Sequence, residues 1–442
     1  MSSVTPAVSK TPPTWRNWAG NQTCRPHSVL TPDSAEEVSA ALRSAASRGL
    51  AVKAVGAGHS FTSVATTDGV QIRPEGLTAV HALDRAAGTV TVGSGMRLRD
   101  FNALLAGYGL ALTNMGDIAV QSLAGATSTG THGTGRVSGS LAAQIRGMEI
   151  VLADGEITTC SPTENAELFA GARVGLGALG IVTALTFSVE PKFLLQAREE
   201  PMKLDAVLDS FDTLCATNEH FEFYWFPHTD NCNVKRNNRV EGPAKPLSRA
   251  RFLLDDEFLS NGVFSLACRV GKALPRSVPA IARISSRALS ARTYSDTSHR
   301  VFTSPRRVRF VEMEYALPRE AATAALREVR AFVEAADLAI GFPVEVRVAP
   351  ADDLWMSTAY GRETAYIAVH MYRGTPHERY FTGVEKIMVA HGGRPHWGKV
   401  HTRDARYLAD AYPRFGDFAA LRDRVDPERR FGNPYLRRVL GG

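Results

Sequence analysis

Apolar and polar positions follow two different rhythms along the chain. Up to residue 192, short alternating runs are interleaved with helical patterns. Val38, Leu42 and Ala45 recur at helical spacing behind Thr31-Pro32-Asp33-Ser34. Ser34 and Glu37 have capping-box spacing, so a helix starts there and Gly49 ends it. Leu50–Val55 predicts a buried strand and Val70–Arg73 another. Leu77–Leu83 with Thr89–Val92, and Ile145–Ala153 with Glu156–Thr159, predict hairpins. Leu98, Phe101, Leu104 and Leu105 share a helical face, Thr163–Arg173 is a second such helix, and Ile181–Val189 is a strand closed by Pro191. Between Asn114 and Gly139 no periodicity survives. A tract this long inside a compact domain points to function.

From Phe193 onward the runs lengthen. Leu204, Val207, Leu208, Phe211 and Leu214 predict a helix, and Phe221–Phe226 a strand. Arg307–Ala316 and Pro343–Val348 read as strands around a helix over 319–336, followed by strand Tyr366–Tyr372 and a helix over 377–391. Residues 245–297 show apolar helical patches among many arginines, and 400–440 read as helical and basic. Such strands and helices, without regular βαβ alternation, predict an α+β fold. No internal repeat is evident.

Composition narrows this little. The chain has 442 residues, 44% hydrophobic and 22% charged, in the range of soluble globular proteins, and its length favours two domains. The net charge of +6 is dispersed, and the cluster Ser304–Arg309 reads as a strand with exposed alternate residues, so no nucleic-acid partner is inferred. Cys24, Cys160, Cys215, Cys232 and Cys268 are scattered, without C-x-x-C spacing. They suggest neither a metal site nor a disulfide framework and fit a cytoplasmic setting. Residues 1–13, rich in Pro, Ser and Thr, read as a disordered lead-in without the apolar segment of a signal peptide, and no stretch is apolar enough for a transmembrane helix.

Three stretches carry candidate chemistry. Val55-Gly56-Ala57-Gly58-His59-Ser60-Phe61 follows a strand, and its glycines allow a tight turn and close approach to a ligand. It departs from the dinucleotide fingerprint, because Phe61 stands at the third glycine position and the polar segment 62–69 opens no amphipathic helix. Ser122–Gly135 (SLAGATSTGTHGTG) offers small and hydroxylated residues that can lie against a planar ligand. Arg394-Pro395-His396-Trp397-Gly398-Lys399 lies near the C-terminus. Between them, Glu345 and Arg347 are two apart on a predicted strand and project from one face; spacing alone favours an exposed ion pair.

In this order the stretches resemble the FAD-dependent aldonolactone oxidoreductases of the vanillyl-alcohol oxidase superfamily, a group that includes the alditol oxidases. The resemblance runs from about Trp15 to Leu440. It implies a two-domain fold: an FAD-binding domain over 14–192, an α+β cap over 193–399, and a segment over 400–442 that packs back on the FAD domain. It implies oxidation of a sugar-derived hydroxyl, of the L-gulono-1,4-lactone type, with hydride passing to the flavin and oxygen or another acceptor reoxidising it. The alternatives are an alditol or xylitol oxidase using the same residues on an open-chain polyol, and a tailoring oxidoreductase for a larger metabolite with an enlarged cap pocket. His59 corresponds to the histidine that bonds covalently to the flavin. Gly56, Ala57, Gly58 and Ser60 correspond to the pyrophosphate turn, and Ser122, Gly125, Thr129, Gly130, Thr131, His132 and Ile181 to further cofactor contacts. Glu345, Arg347 and Lys399 correspond to the catalytic trio. Asp117 and His370 are candidate substrate contacts. Gly116 aligns with the residue that gates oxygen, where glycine leaves a gap. No metal is implied.

Overall fold

The computed structural model describes residues 14–442, the side chains of residues 254–257 and 260 excepted; the composition-based lead-in of residues 1–13 lies outside the described residues. The first half is built on two sheets. A parallel three-stranded sheet joins Ser28–Leu30, Val70–Ile72 and Val52–Ala54. A five-stranded antiparallel sheet runs in the order Ile157–Cys160, Ile145–Val151, Ile181–Ser188, Thr89–Gly93, Val80–Asp84. The first helix spans Ala35–Ser47, and the Ser34 hydroxyl accepts from the Glu37 amide at 3.3 Å. The Glu37 carboxylate reaches back to the Asp33 amide rather than to Ser34, which still satisfies a second donor at the helix entry.

The second half is organised by an eight-stranded antiparallel sheet in the order Arg292–Thr297, Leu194–Lys203, Asn231–Val240, His220–Trp225, Val344–Ala349, Thr364–Tyr372, Phe310–Pro318, Arg394–Pro395. Its central strands alternate strictly. Phe221, Phe223, Val344, Val346, Ile367, Val369, Met313 and Tyr315 point to one face and form a core with Leu326 and Val329 of helix Ala322–Ala335 and Val384 and Met388 of helix Glu378–Ala390. Period two then sends the intervening residues, many of them ionisable, to the opposite face.

Two strands were not foreseen, and three expectations need correction. The polar strands Leu194–Lys203 and Asn231–Val240 escape a hydrophobic reading because the first buries Ala197 and Glu199 on one face, and the second buries Cys232 and Val234 on one face and Asn237 on the other. The helix over 204–214 is two helices, Leu204–Asp209 and Phe211–Thr217, divided where the Ser210 hydroxyl donates to the Ala206 carbonyl. Within the aperiodic tract, Leu123–Ser128 forms a short helix that buries Leu123 and Ala126. The basic cluster is not a strand; the strand begins only at Phe310, and Arg306 reaches Asp117.

The C-terminal segment folds onto the first half. Phe418, Leu421, Leu436 and Val439 share a core with Phe101, Phe187 and Leu168. Lys53, 2% exposed, donates to the carbonyls of Gly177 at 2.9 Å and Phe431 at 3.2 Å, and the Val52 amide donates to the Arg430 carbonyl.

Candidate active site

The polar face of the large sheet assembles the site by register. Tyr224, Glu345, Ala368 and Glu314 lie in one cross-strand row, and Glu222, Arg347 and Tyr366 in the next. Glu312 faces His370. Glu222, Glu312, Glu314, Glu345, Arg347 and His370 are each only 6–8% exposed, so their charges must compensate one another.

They do so in two groups. Arg347 contacts Glu345, donates to Glu222 at 3.0 Å and stands 3.5 Å from Asp117. Asp117 is also held by Arg306 at 2.7 Å, and Tyr224 donates to Glu345 at 3.3 Å. Burial disfavours the Arg347 cation, but Glu345, Asp117 and Glu222 outweigh it and hold the guanidinium firmly charged. Burial raises the Glu345 carboxyl; Arg347 opposes this and Asp117 and Glu222 add to it, with a net rise.

Lys399 centres the second group. Its ammonium contacts Glu312, lies 3.8 Å from Glu314 and sits 5.2 Å from the centre of the Phe61 ring. Burial works against the cation, and the two carboxylates more than reverse it, so the amine is held above its ordinary range. Burial resists ionisation of Glu312 too, yet Lys399 and His370 hold its carboxyl down at about 2. His132 pairs with Glu314 at 2.9 Å, faces the Gly133 carbonyl through its other nitrogen at 2.9 Å and stacks on Tyr366.

The glycine turn is fastened to the Lys399 segment: the Phe61 amide donates to the Gly398 carbonyl at 2.6 Å and the Thr62 hydroxyl to the Trp397 carbonyl at 3.1 Å. His59 stacks on Trp18 with ring centres 5.2 Å apart. Burial, then Lys399 and Arg97, push its imidazole down to about 4, so it is neutral at physiological pH. A Cβ on Gly56 would lie 2.0 Å from the Ser122 hydroxyl, and one on Gly125 2.9 Å, so only glycines let the two stretches touch. That hydroxyl is buried without a partner. An unsatisfied hydroxyl beside a bare backbone cradle, a neutral imidazole and a cation nearby fit a phosphorylated, electron-accepting planar cofactor.

Other sequence candidates take more limited positions. The Ile181 side chain belongs to a core with Val38, Val52 and Val151, which leaves only its backbone for a ligand. His132 is likewise committed through its ring. Thr129 donates to the Gly125 carbonyl, Thr131 accepts from Gln121, and Gly130 has φ +77°. A Cβ on Gly116 would meet the His132 carbonyl at 3.2 Å and the Thr131 methyl at 3.4 Å, so this position is bounded by backbone. His370 is 3.6 Å from Glu312 and 4.0 Å from Glu345, joining the two charged groups. Sequence reasoning missed Trp18, Glu222, Tyr224, Arg306, Glu312 and Glu314. The legible signal for four of them was the alternation in Phe221-Glu222-Phe223-Tyr224 and Val311-Glu312-Met313-Glu314.

Comparison with known proteins agrees with this layout. Residues 26–161 match the FAD binding domain family, and residues 185–439 match the family described as D-arabinono-1,4-lactone oxidase. The chain is 43% identical to an L-gulono-1,4-lactone dehydrogenase of Mycobacterium tuberculosis over 97% of its own length and 99% of that protein. It is 35% identical to an L-gulonolactone oxidase of Bos taurus, covering 96% and 98%, and 33% identical to an alditol oxidase of a Streptomyces species, covering 96% and 99%. A solvent-stable cholesterol oxidase superposes with a TM-score of 0.84 at 18% identity over 98% of both chains, a likeness of fold. The fold is thus the two-domain vanillyl-alcohol-oxidase type, and FAD is the cofactor. The chain belongs to the D-arabinono-1,4-lactone oxidase family of flavin-dependent oxidoreductases.

Proposed function

We propose that this enzyme oxidises a secondary hydroxyl of an aldono-1,4-lactone, of the L-gulono-1,4-lactone type. The carrying observation is that strand register brings Glu345 and Arg347 to the same sheet face as the carboxylates that hold Lys399. Bound FAD supplies the hydride acceptor. Glu345, its carboxyl raised by burial, accepts hydrogen bonds from substrate hydroxyls. Arg347 stabilises the negative charge that develops on the reacting oxygen, and three carboxylates keep that guanidinium fixed in place. Lys399 contributes a second positive charge rather than a base, because Glu312 and Glu314 keep it protonated. In this reading the chain divides into an FAD domain over 14–192, a cap over 193–399 and a returning segment over 400–442, with the reacting carbon between the first two.

The neutral imidazole of His59 supports a covalent link to the flavin, since only the unprotonated ring is nucleophilic. The bare backbone at Gly116 supports oxygen as an acceptor. All five cysteines are free thiols, which supports a reducing compartment such as the cytoplasm; among the described residues no helix is long and apolar enough to cross a membrane. The test is turnover of L-gulono-1,4-lactone and of xylitol side by side, under air and under nitrogen with a dye acceptor. Faster turnover of the lactone is expected. Preference for xylitol would move the assignment to an alditol oxidase, a reading that the Streptomyces relative keeps open. Acid precipitation gives a yellow pellet if the link forms and a colourless one in His59→Ala.

A further inference from the structure

Among the described residues, fourteen large hydrophobic side chains are exposed, and nine of them fall between Phe252 and Ile284. The others, such as Val80 and Val137, are scattered, as on any protein surface. The concentrated set has an order. Val263, Leu266 and Val270 follow helical spacing, with Leu259 one turn before them and Leu274 one turn after, at exposures of 38–63%. They therefore form one outward stripe along consecutive helical segments.

The inward side of the same helix is already used. Phe264 packs edge-on against Phe342 with ring centres 4.9 Å apart, and Cys268 is buried with Val308 and Phe342. The outward stripe is thus surplus to the fold's own packing.

Charge selects the occupant. Between Phe258 and Arg287 the sequence contains Arg269, Lys272, Arg276, Arg283 and Arg287 and no aspartate or glutamate. All five basic residues are exposed, and Arg269 flanks Leu266 at i+3 spacing. Two copies of such a face would repel one another. An interface offering apolar depth beneath negative headgroups satisfies both the stripe and its cations.

We propose that the face formed by residues 258–287, which follows the acidic run Asp255-Asp256-Glu257, seats the protein on the surface of a bilayer that contains anionic lipids. The helices lie along the headgroup boundary, with Leu259, Leu266, Val270, Leu274 and Ile284 turned toward the acyl region. Attachment is peripheral, since among the described residues no helix is long and apolar enough to cross. The inference stands on exposure and charge and does not depend on which hydroxyl the enzyme oxidises.

The test is co-sedimentation of the intact flavoprotein with vesicles of phosphatidylcholine alone or mixed with phosphatidylglycerol, at low and high salt. Sedimentation with the anionic vesicles, weakened by salt and slight with phosphatidylcholine alone, is the expected result. The double variant Leu266→Asp/Leu274→Asp should abolish it, and each of Arg276→Glu and Arg283→Glu should weaken partitioning at least about fivefold, the effect of losing one cation near an anionic surface. Turnover in free solution should be unchanged in all of them, which also reports that they fold. A protein that stays in the supernatant with every vesicle overturns the proposal. So does light scattering that shows a dimer dissociated by Leu266→Asp/Leu274→Asp, because the stripe would then be a self-association surface.

Discussion

Glu312 and Lys399 meet in direct ion contact on the polar face of the large sheet, Glu312 on one strand and Lys399 just beyond the edge strand beside it. The contact sets how the lysine titrates. With Glu312→Gln, burial acts on the ammonium against the weaker pull of Glu314 and Glu345, and its pKa falls. The alkaline limb of the kcat/KM profile should therefore move to lower pH by about 1 to 3 units, the usual effect of removing an opposite charge at this range. Retention of the wild-type limb would show that Lys399 does not govern it.

Arg347 satisfies Glu345, Glu222 and Asp117 at once through a planar fork. Lysine keeps the charge but cannot reproduce three directions. Arg347→Lys should lower kcat by roughly 100- to 1,000-fold, as loss of an oxyanion donor does, with the flavin absorbance retained. Arg347→Met should in addition lose about 3–5 kcal/mol of stability, because it leaves the buried Glu345 carboxylate without its cation. Urea unfolding of both variants distinguishes the effects.

At position 116 a methyl group would press on the His132 carbonyl at 3.2 Å. Backbone yields less readily than a side chain, so Gly116→Ala should cost about 1–3 kcal/mol and slow the reaction of the reduced enzyme with oxygen. Stopped-flow reoxidation under air and a thermal midpoint measure the two consequences separately. A variant of unchanged midpoint and unchanged reoxidation would remove this residue from both roles.

His396 is buried, and burial holds its imidazole down to about 4 against an ordinary 6.5. Above pH 6.5 neither folded nor unfolded chain protonates it, and no penalty exists. As pH falls from 6.5 toward 4 the unfolded chain takes up the proton and the folded one does not, so stability declines, by up to about 3 kcal/mol from this ring alone. Asp352, raised to about 6 by burial, acts in the opposite direction between 6 and 3.8. His396→Gln should flatten the fall in the urea midpoint between pH 7 and pH 5; an equally steep fall would assign the slope to other groups.

The first helix, both hairpins and the glycine turn were legible because each is a local pattern: a cap, an alternation, a break. Glu345, Arg347, Lys399 and His59 were legible through the resemblance, and alternation alone put the first two on one face. Glu222, Glu312 and Glu314 were not, since a carboxylate at an alternate position reads as solvent-facing until another layer covers that side. Nor was Arg306: Pro305 beside it ends any ladder, and its partner Asp117 is far away in sequence. Strands Leu194–Lys203 and Asn231–Val240 were hidden because buried cross-strand pairs such as Glu199–Arg292 make an inward position look polar.

The tie between Lys53 and the Phe431 carbonyl has a consequence for biosynthesis. The half of the protein that is made earlier carries a gap shaped for residues 430–440, which are made later. Lys53 lacks its Phe431 acceptor until that closing segment arrives. The nascent chain therefore depends on protection during nearly the whole of translation, and a product truncated before Arg430 is left with an exposed seam that quality control can detect.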